Sequence, residues 1–222
     1  MNVGRWRGWK LLAATVAAGV VAACGAAESA PVVPPPAVDA VGAKGEQTAV
    51  FAGGCFWGVE AVFRHTKGVR RAVSGYAGGP AKLADYRTVS TGATGHAESV
   101  QVTFDPAQVS YGELLRIFFA VAHDPTQRNR QGPDVGTQYR SAIFTVGDEQ
   151  ARVARAYIAQ LDAAKTFAAP IATQVTPLPA FYPAEDYHQN YLALHPNEPY
   201  IVFNDQPKLD ALRARFPDRY LR

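Results

Sequence analysis

Cysteine and methionine are nearly missing from this chain. Its 222 residues include two cysteines, Cys24 and Cys55, and one methionine, Met1. Two lone thiols without a CxxC spacing exclude a thioredoxin-type dithiol and a cysteine-rich zinc site. His188 and His195 have no partner at ligand spacing, so no resident metal is expected. A dominant charge is lacking as well. The 22 Lys and Arg stand against 19 Asp and Glu, and a net charge of +3 excludes binding of nucleic acid or anionic lipid through bulk charge. The apolar run from Leu11 to Ala23 stops short of the ~20 residues that a membrane-spanning helix needs. Aromatics are scarce at the start: of 3 Trp, 10 Tyr and 11 Phe, only Trp6 and Trp9 precede Gln47. The material for a core therefore lies in 47–222, enough for one well-buried domain.

What precedes that domain reads as a leader. Arg5, Arg7 and Lys10 form a positive start, and the uncharged run ends in Val21-Ala22-Ala23-Cys24. Residues 1–23 are thus expected to be an export signal. The small residues before Cys24 resemble the lipobox of bacterial lipoproteins, in which the cysteine is acylated and becomes the new N-terminus. Residues 24–46 then carry Pro31, Pro34, Pro35 and Pro36 among Ala, Val and Gly. Such a segment cannot bury enough apolar surface to fold by itself, and it is expected to be a tether from a lipidated Cys24. The location implied is the cell envelope, on a membrane facing the periplasm, with the lipid anchor as the sole membrane contact.

Within 47–222, apolar periodicity marks the elements. Gln47 to Ala52 reads as a strand, broken by Gly53-Gly54. From Cys55, the spacing of Phe56, Val59, Val62 and Phe63 is helical. Val69 to Tyr76 is a strand closed by Gly78-Gly79-Pro80, and a loop spans 81–95. Glu98, Val100, Val102 and Phe104 alternate with Ser99, Gln101 and Thr103 in a half-buried strand. Ser110 and Glu113 form a capping box ahead of Leu114, Leu115, Phe118 and Phe119. A polar loop, a strand from Ser141 to Val146 and an amphipathic helix from Asp148 to Lys165 follow. Gln174 to Leu178 is a further strand, and short helices fall near 184–195 and 207–216. The class is α+β in a single domain, a mixed β-sheet flanked by helices.

Cys55 follows a strand and two glycines and stands where a helix begins. Glycines permit the sharp turn, and free N–H groups at a helix start stabilise an anion, a setting that lowers a cysteine pKa. On position alone, a reactive thiol and an inert buried one are equally good readings. Phe56 and Trp57 follow at once, either as core or as an apolar pocket beside a nucleophile. Glu98 shares the face of Val100, Val102 and Phe104, so its carboxyl is expected to be buried and its pKa raised towards ~7.

Gly54-Cys55-Phe56-Trp57-Gly58 resembles the signature of the A-type peptide-methionine sulfoxide reductases. The likeness continues through Gly75-Tyr76-Ala77-Gly78-Gly79, Tyr86-Arg87 and Thr94-Gly95-His96-Ala97-Glu98. It runs on through His123-Asp124-Pro125-Thr126-Gln127, Gly136-Thr137-Gln138-Tyr139-Arg140-Ser141 and Ala184-Glu185-Asp186-Tyr187-His188-Gln189. The resemblance implies a two-layer fold with a ferredoxin-like core. It implies thiol-dependent reduction of methionine S-sulfoxide, free or in proteins, without a cofactor. By the same resemblance Cys55 is the nucleophile, Glu98 the acid, and Tyr86 and Tyr139 the hydrogen-bond donors to the sulfoxide oxygen. Phe56 and Trp57 would hold the terminal methyl group, Asp134 the backbone of the oxidised residue, and His188 lies in the substrate-proximal segment. No role falls on His65, His96 or His123.

The chemistry leaves a sulfenic acid on Cys55. Many relatives carry recycling cysteines near the C-terminus, but 196–222 contain none, and Ser90 occupies a position that is cysteine in some members. An external reductant is therefore implied, a thioredoxin-like protein or a small thiol, unless an unlipidated Cys24 reaches the site. A domain free of methionine suits oxidative-damage repair, although compositional drift produces the same result. Three rival readings remain open to test. They are a cysteine peptidase or acyltransferase pairing Cys55 with His96 or His188, a thiol peroxidase, and a binding module in which Cys55 is merely packed.

Overall fold

A computed structural model of the chain describes residues 1–2, 31–40 and 45–222. The export signal and Cys24 lie outside the described residues, as does much of the expected tether. The first strand, β1 (Gln47–Gly53), leads into α1 (Phe56–Arg64), and β2 (Val69–Ala77) follows. A short helix α2 (Tyr86–Val89) precedes β3 (Ala97–Phe104) and α3 (Tyr111–Ile117), the latter widening into a looser turn over Phe118–Ala122. A small ribbon of β4 (Arg130–Gln131) and β5 (Asp134–Val135) comes before β6 (Ser141–Thr145) and α4 (Asp148–Ala163). The chain closes with β7 (Gln174–Pro177), β8 (Phe181–Pro183), α5 (Tyr191–Leu194) and α6 (Gln206–Arg215).

Six strands form one sheet in the order β7-β6-β1-β3-β2-β8. Every pairing is antiparallel except β6 with β7, which makes the sheet mixed. The middle four, β6-β1-β3-β2, are joined by α1 between β1 and β2 and by α3 between β3 and β6. This is the split βαβ arrangement of a ferredoxin-like core.

Strand alternation then decides which residues meet the helices. Ala49, Phe51, Val100, Val102 and Phe104 pack against Phe56, Val59, Val62 and Phe63 of α1, Leu114 and Leu115 of α3, and Val153, Tyr157 and Leu161 of α4. The opposite face carries a smaller cluster, Val50, Ala52, Ala77, Ala97, Ala142 and Phe144. Glu98 is in phase with Val100 and Val102, so it falls on the helix side, at the end of β3 nearest the start of α1. Half of the capping box at Ser110 is found: its Oγ accepts the Glu113 N–H at 3.1 Å, while the Glu113 carboxylate turns to Arg219.

Part of the segment expected to be a free tether is folded onto the domain. Val33 is only 3% exposed and joins the main core. The Tyr157 hydroxyl donates to the Pro34 carbonyl at 2.5 Å, Arg116 Nε to the Val33 carbonyl at 3.0 Å, and Gln160 Nε2 to the Pro35 carbonyl at 2.9 Å. Asp39 accepts from Ser110 Oγ at 2.5 Å and from the Gly112 N–H at 2.8 Å, so it caps α3 from outside the helix. The prolines explain why composition misleads here. An extended proline-rich chain satisfies none of its own carbonyls, which leaves them free for donors on the domain.

Two further differences concern the C-terminal part. β8, too short to show a period, pairs with β2 opposite Gly75, where an added Cβ would lie 2.4 Å from the Tyr182 carbonyl. The helix expected over 184–195 is broken at Asn190, which adopts φ 55°. The buried Glu60 carboxylate takes the Asn190 N–H at 3.0 and 3.1 Å and the Ser74 hydroxyl at 2.8 Å. That contact pins a turn where local sequence alone favours a continuous helix.

Candidate active site

β1 runs out into Gly53-Gly54-Cys55, and the glycines are needed for close approach as much as for conformation. Gly54 has φ +90°, and a Cβ there would lie 2.5 Å from the Gln131 side chain. A Cβ at Gly53 would press on Phe118 and His123 at 3.0–3.2 Å. Cys55 is consequently held at the N-cap of α1, a free thiol only 6% exposed.

The first donors of α1 are divided between two acids. Phe56 N–H donates to Glu98 Oε2 at 3.1 Å, while the Trp57 N–H is directed at the Cys55 sulfur. Glu98 is 2% exposed, and burial pushes its carboxyl up to about 8, with the Phe56 N–H opposing and Asp134 and Asp205 adding to the rise. Below that pH it carries a proton and can donate it. Burial likewise pushes the Cys55 thiol up, helped by Glu98 and Asp205 and opposed by Lys208 and the Trp57 N–H. The expectation that the helix start lowers this thiol is therefore corrected: desolvation and two neighbouring carboxyls outweigh the N–H groups. Cys55 rests as S–H.

Tyr86 and Tyr139 arrive on separate loops, each braced from behind. Asp85 caps α2 through the Thr88 N–H at 3.0 Å, and Glu185 accepts the Tyr86 N–H and the Tyr76 hydroxyl, both at 2.9 Å. Ser90 Oγ donates to the Tyr86 carbonyl and closes the same helix. Tyr139 sits in the turn Thr137–Tyr139, which Arg140 ties down by donating to the carbonyls of Gly95, His96 and Thr137 at 2.8–3.0 Å. The Tyr139 hydroxyl has no hydrogen-bond partner among the described residues and that of Tyr86 lies beside the Ser90 hydroxyl, and both side chains line the cleft, where they can donate to a bound molecule.

Aromatic rings build the remaining wall. Trp57 stacks on Tyr191 at 3.8 Å and meets Tyr200 edge-on. Its Nε1–H donates to His188 Nδ1 at 3.1 Å, which leaves the His188 proton on Nε2 in the neutral ring that burial favours. His188 is not part of the cleft wall. It stands behind Trp57, Phe56 and Tyr86, with ring centroids 4.3–5.8 Å away, and fixes their orientation.

The cleft itself has a volume of about 290 Å³. Cys55, Phe56, Trp57, Tyr86, Glu98, Asp134, Tyr139, Glu198 and Tyr200 line it. Seven of these are the residues singled out in the sequence, contributed by α1, α2, β3, β5 and the turn before β6. Glu198 and Tyr200 are additional. Tyr200 donates to Asp134 Oδ2 at 2.5 Å and Tyr191 to Glu198 Oε2 at 2.7 Å, so the C-terminal segment folds against the cleft. Their only sequence signal was the position of a tail scanned for thiols.

The histidines left without a role are accounted for by packing. His96 accepts the Gly79 N–H, and His123 stacks on Phe118 and bonds Ser141 Oγ at 2.7 Å. Burial drives His123 down to about 3, so it stays neutral. Neither lines the cleft, which removes the His96 form of the peptidase reading. No group of three or more His, Cys, Asp and Glu side chains among the described residues is arranged to hold a metal ion.

Comparison with known proteins places these residues in context. The family model for peptide methionine sulfoxide reductase matches residues 47–220. A peptide methionine sulfoxide reductase, MsrA 2, of Mesorhizobium japonicum is 57% identical over 183 residues, covering 82% of this chain and 94% of its own length. The MsrA 2 of Synechocystis is 53% identical, covering 85% and 90%. Among solved structures, reduced Mxr1 of Saccharomyces cerevisiae superposes with a TM-score of 0.64 at 34% identity, over 69% of this chain and 87% of that one. Methionine sulfoxide reductase A of Corynebacterium diphtheriae gives 0.60 at 41%, over 76% and 86%. With a family model spanning the whole described sheet and relatives of this identity, the chain belongs to the peptide methionine sulfoxide reductase family.

Proposed function

We propose that this protein reduces methionine S-sulfoxide, free or in oxidised proteins, to methionine with Cys55 as the nucleophile. One observation carries the reading. The thiol shares its helix start with a buried carboxyl pushed up to about 8, and two tyrosines line the same cleft. Phe56 and Trp57 form an apolar seat for the methyl group, and Asp134 takes the backbone N–H of the oxidised residue. Tyr86 and Tyr139 donate to the sulfoxide oxygen, where charge builds as the S–O bond weakens. Glu98 protonates that oxygen while the Cys55 sulfur attacks the sulfoxide sulfur, and the thiol proton restores the Glu98 carboxyl. The substrate S–O bond and the transient sulfur–sulfur bond then break as the hydroxyl passes to the Cys55 sulfur, leaving methionine and a sulfenic acid on Cys55. The substrate sulfur gains two electrons and Cys55 loses two.

Recycling then needs two electrons from outside. Cys24 is the one other thiol, and its acylation would close an internal route, which leaves a thioredoxin-like protein or a small thiol to attack the sulfenic acid. For the leader we infer export, acylation of Cys24 and repair of oxidised proteins in the envelope. The charged start, the uncharged run and the lipobox-like Val21-Ala22-Ala23-Cys24 support this, and the intact mass of the mature protein checks it.

Racemic methyl p-tolyl sulfoxide with excess dithiol tests the activity. Half of the sulfoxide should be consumed, leaving the R enantiomer. Consumption of both enantiomers would contradict the stereochemical assignment, and consumption of neither would contradict the reductase reading.

A further inference from the structure

A wholly buried carboxylate stands behind the first turn of the nucleophile's helix. Asp205 closes the turn Ile201–Asp205 ahead of α6. Its Oδ1 accepts from Lys208 Nζ at 3.0 Å, while Oδ2 is buried without a hydrogen-bond partner among the described residues. A Cβ added at Gly58 would lie 2.2 Å from Asp205 Oδ1 and 2.9 Å from Lys208 Nζ. The ion pair therefore occupies the space that a side chain in the first turn of α1 would take. Such burial is no cheap route to stability, because desolvation offsets the attraction and an apolar pair of equal volume serves as well. An unpartnered oxygen makes it costlier still.

The groups that face Cys55 come from every surrounding element. Glu98 comes from β3, Asp134 from β5, Glu198 from the segment after α5, Asp205 from the turn before α6 and Lys208 from α6, while Tyr86, Tyr139 and Tyr200 present neutral phenols. His123, behind Gly53, is uncharged. Lys208 is the one cation among these groups, and it is committed to Asp205.

We propose that Asp205 and Lys208 are positioning residues that set the protonation of Cys55. Burial already holds the thiol as S–H; the carboxylate adds to that bias, and the ammonium limits how much it adds. The directions at Cys55 agree, Asp205 raising the thiol and Lys208 lowering it. The inference rests on Cys55 being the reductase nucleophile, but it is tested on the thiol alone.

The test is iodoacetamide alkylation of the full chain between pH 6 and 10. Cys55 is followed through the mass of its proteolytic peptide, so that Cys24 does not contribute. Asp205→Asn should alkylate roughly tenfold faster than wild type at pH 7.5, because removing a nearby negative charge favours the thiolate. Lys208→Met should be several-fold slower by the same reasoning, and Asp205→Glu should stay near the wild-type rate. Wild-type rates in both Asp205→Asn and Lys208→Met would overturn the proposal, and so would shifts of the same sign in both, the mark of altered packing. Should Asp205→Asn not fold, Lys208→Met decides alone: slower alkylation supports the proposal, and an unchanged or faster rate overturns it. Opposite shifts in a protein that reduces no sulfoxide would uphold this inference while defeating the proposed function.

Discussion

Glu98→Gln is expected to lower kcat for a methyl sulfoxide by roughly 10²- to 10⁴-fold at pH 7, the usual worth of a positioned general acid. The amide oxygen can still accept the Phe56 N–H, so the geometry survives while the transferable proton is lost. Wild-type kcat/KM should fall as pH rises through about 8, where the buried carboxyl gives up its proton. The glutamine variant should lack that limb. Peroxide turnover by the thiol, which needs no such acid, should be spared. Equal loss with both oxidants would favour a thiol peroxidase.

The same substitution should stabilise the fold at alkaline pH. Glu98 binds its proton up to about 8 in the native state but only to about 4.5 when unfolded. Between those values the native state holds more protons, so this group's contribution to stability declines as pH rises and reaches its minimum above 8. Glutamine has no proton to lose. Relative to wild type, Glu98→Gln should thus gain about 3–5 kcal/mol in urea unfolding at pH 9, and little or nothing at pH 4. Glu60 and Asp205 are raised by burial too, but they are common to both proteins and cancel in the difference. A variant that loses activity and is also less stable at pH 9 would show that Glu98 is a structural carboxylate.

Tyr86→Phe and Tyr139→Phe should each lower kcat by roughly 10- to 10³-fold, as removal of one donor to a developing oxyanion does. Both side chains border the cleft and neither hydroxyl bonds the core, so neither loss should cost more than ~1 kcal/mol of stability. The double variant should fall further in kcat while retaining the limb near pH 8, since Glu98 is untouched. Unchanged kcat in both single variants would mean that the sulfoxide oxygen lies elsewhere in the cleft.

The sequence made legible whatever depends on local pattern. The two-residue period through Glu98, Val100 and Val102 places the carboxyl on the helix side of β3, where it is found buried. Gly53-Gly54 before a helical period places Cys55 at a helix start. The central strands and α4 follow their apolar spacing within a residue or two. The features that escaped are set by tertiary contact. Whether a helix start or burial governs Cys55 depends on Glu98 and Asp205, which are far apart in sequence. Asp205-Lys208 looks like a surface pair at i, i+3 until α6 packs on α1. The docking of 31–40 depends on Ser110, Gly112, Arg116, Tyr157 and Gln160 meeting its carbonyls, the Asp39 carboxylate and the Ala37 N–H, and composition carries no trace of that. His188 belongs to the matching motif, yet its place behind Trp57 emerges only from the Nε1–H bond to Nδ1.

The most direct test of the account is a single turnover of the full chain with excess methionine S-sulfoxide and no reductant. Methionine formed per protein is counted, and the Cys55 peptide is then analysed for a sulfenic acid trapped with dimedone. About one methionine per chain, with Cys55 converted and further product only after a thiol is added, is the result expected of a nucleophile without an internal recycling partner. No methionine, with Cys55 still a free thiol, would contradict it.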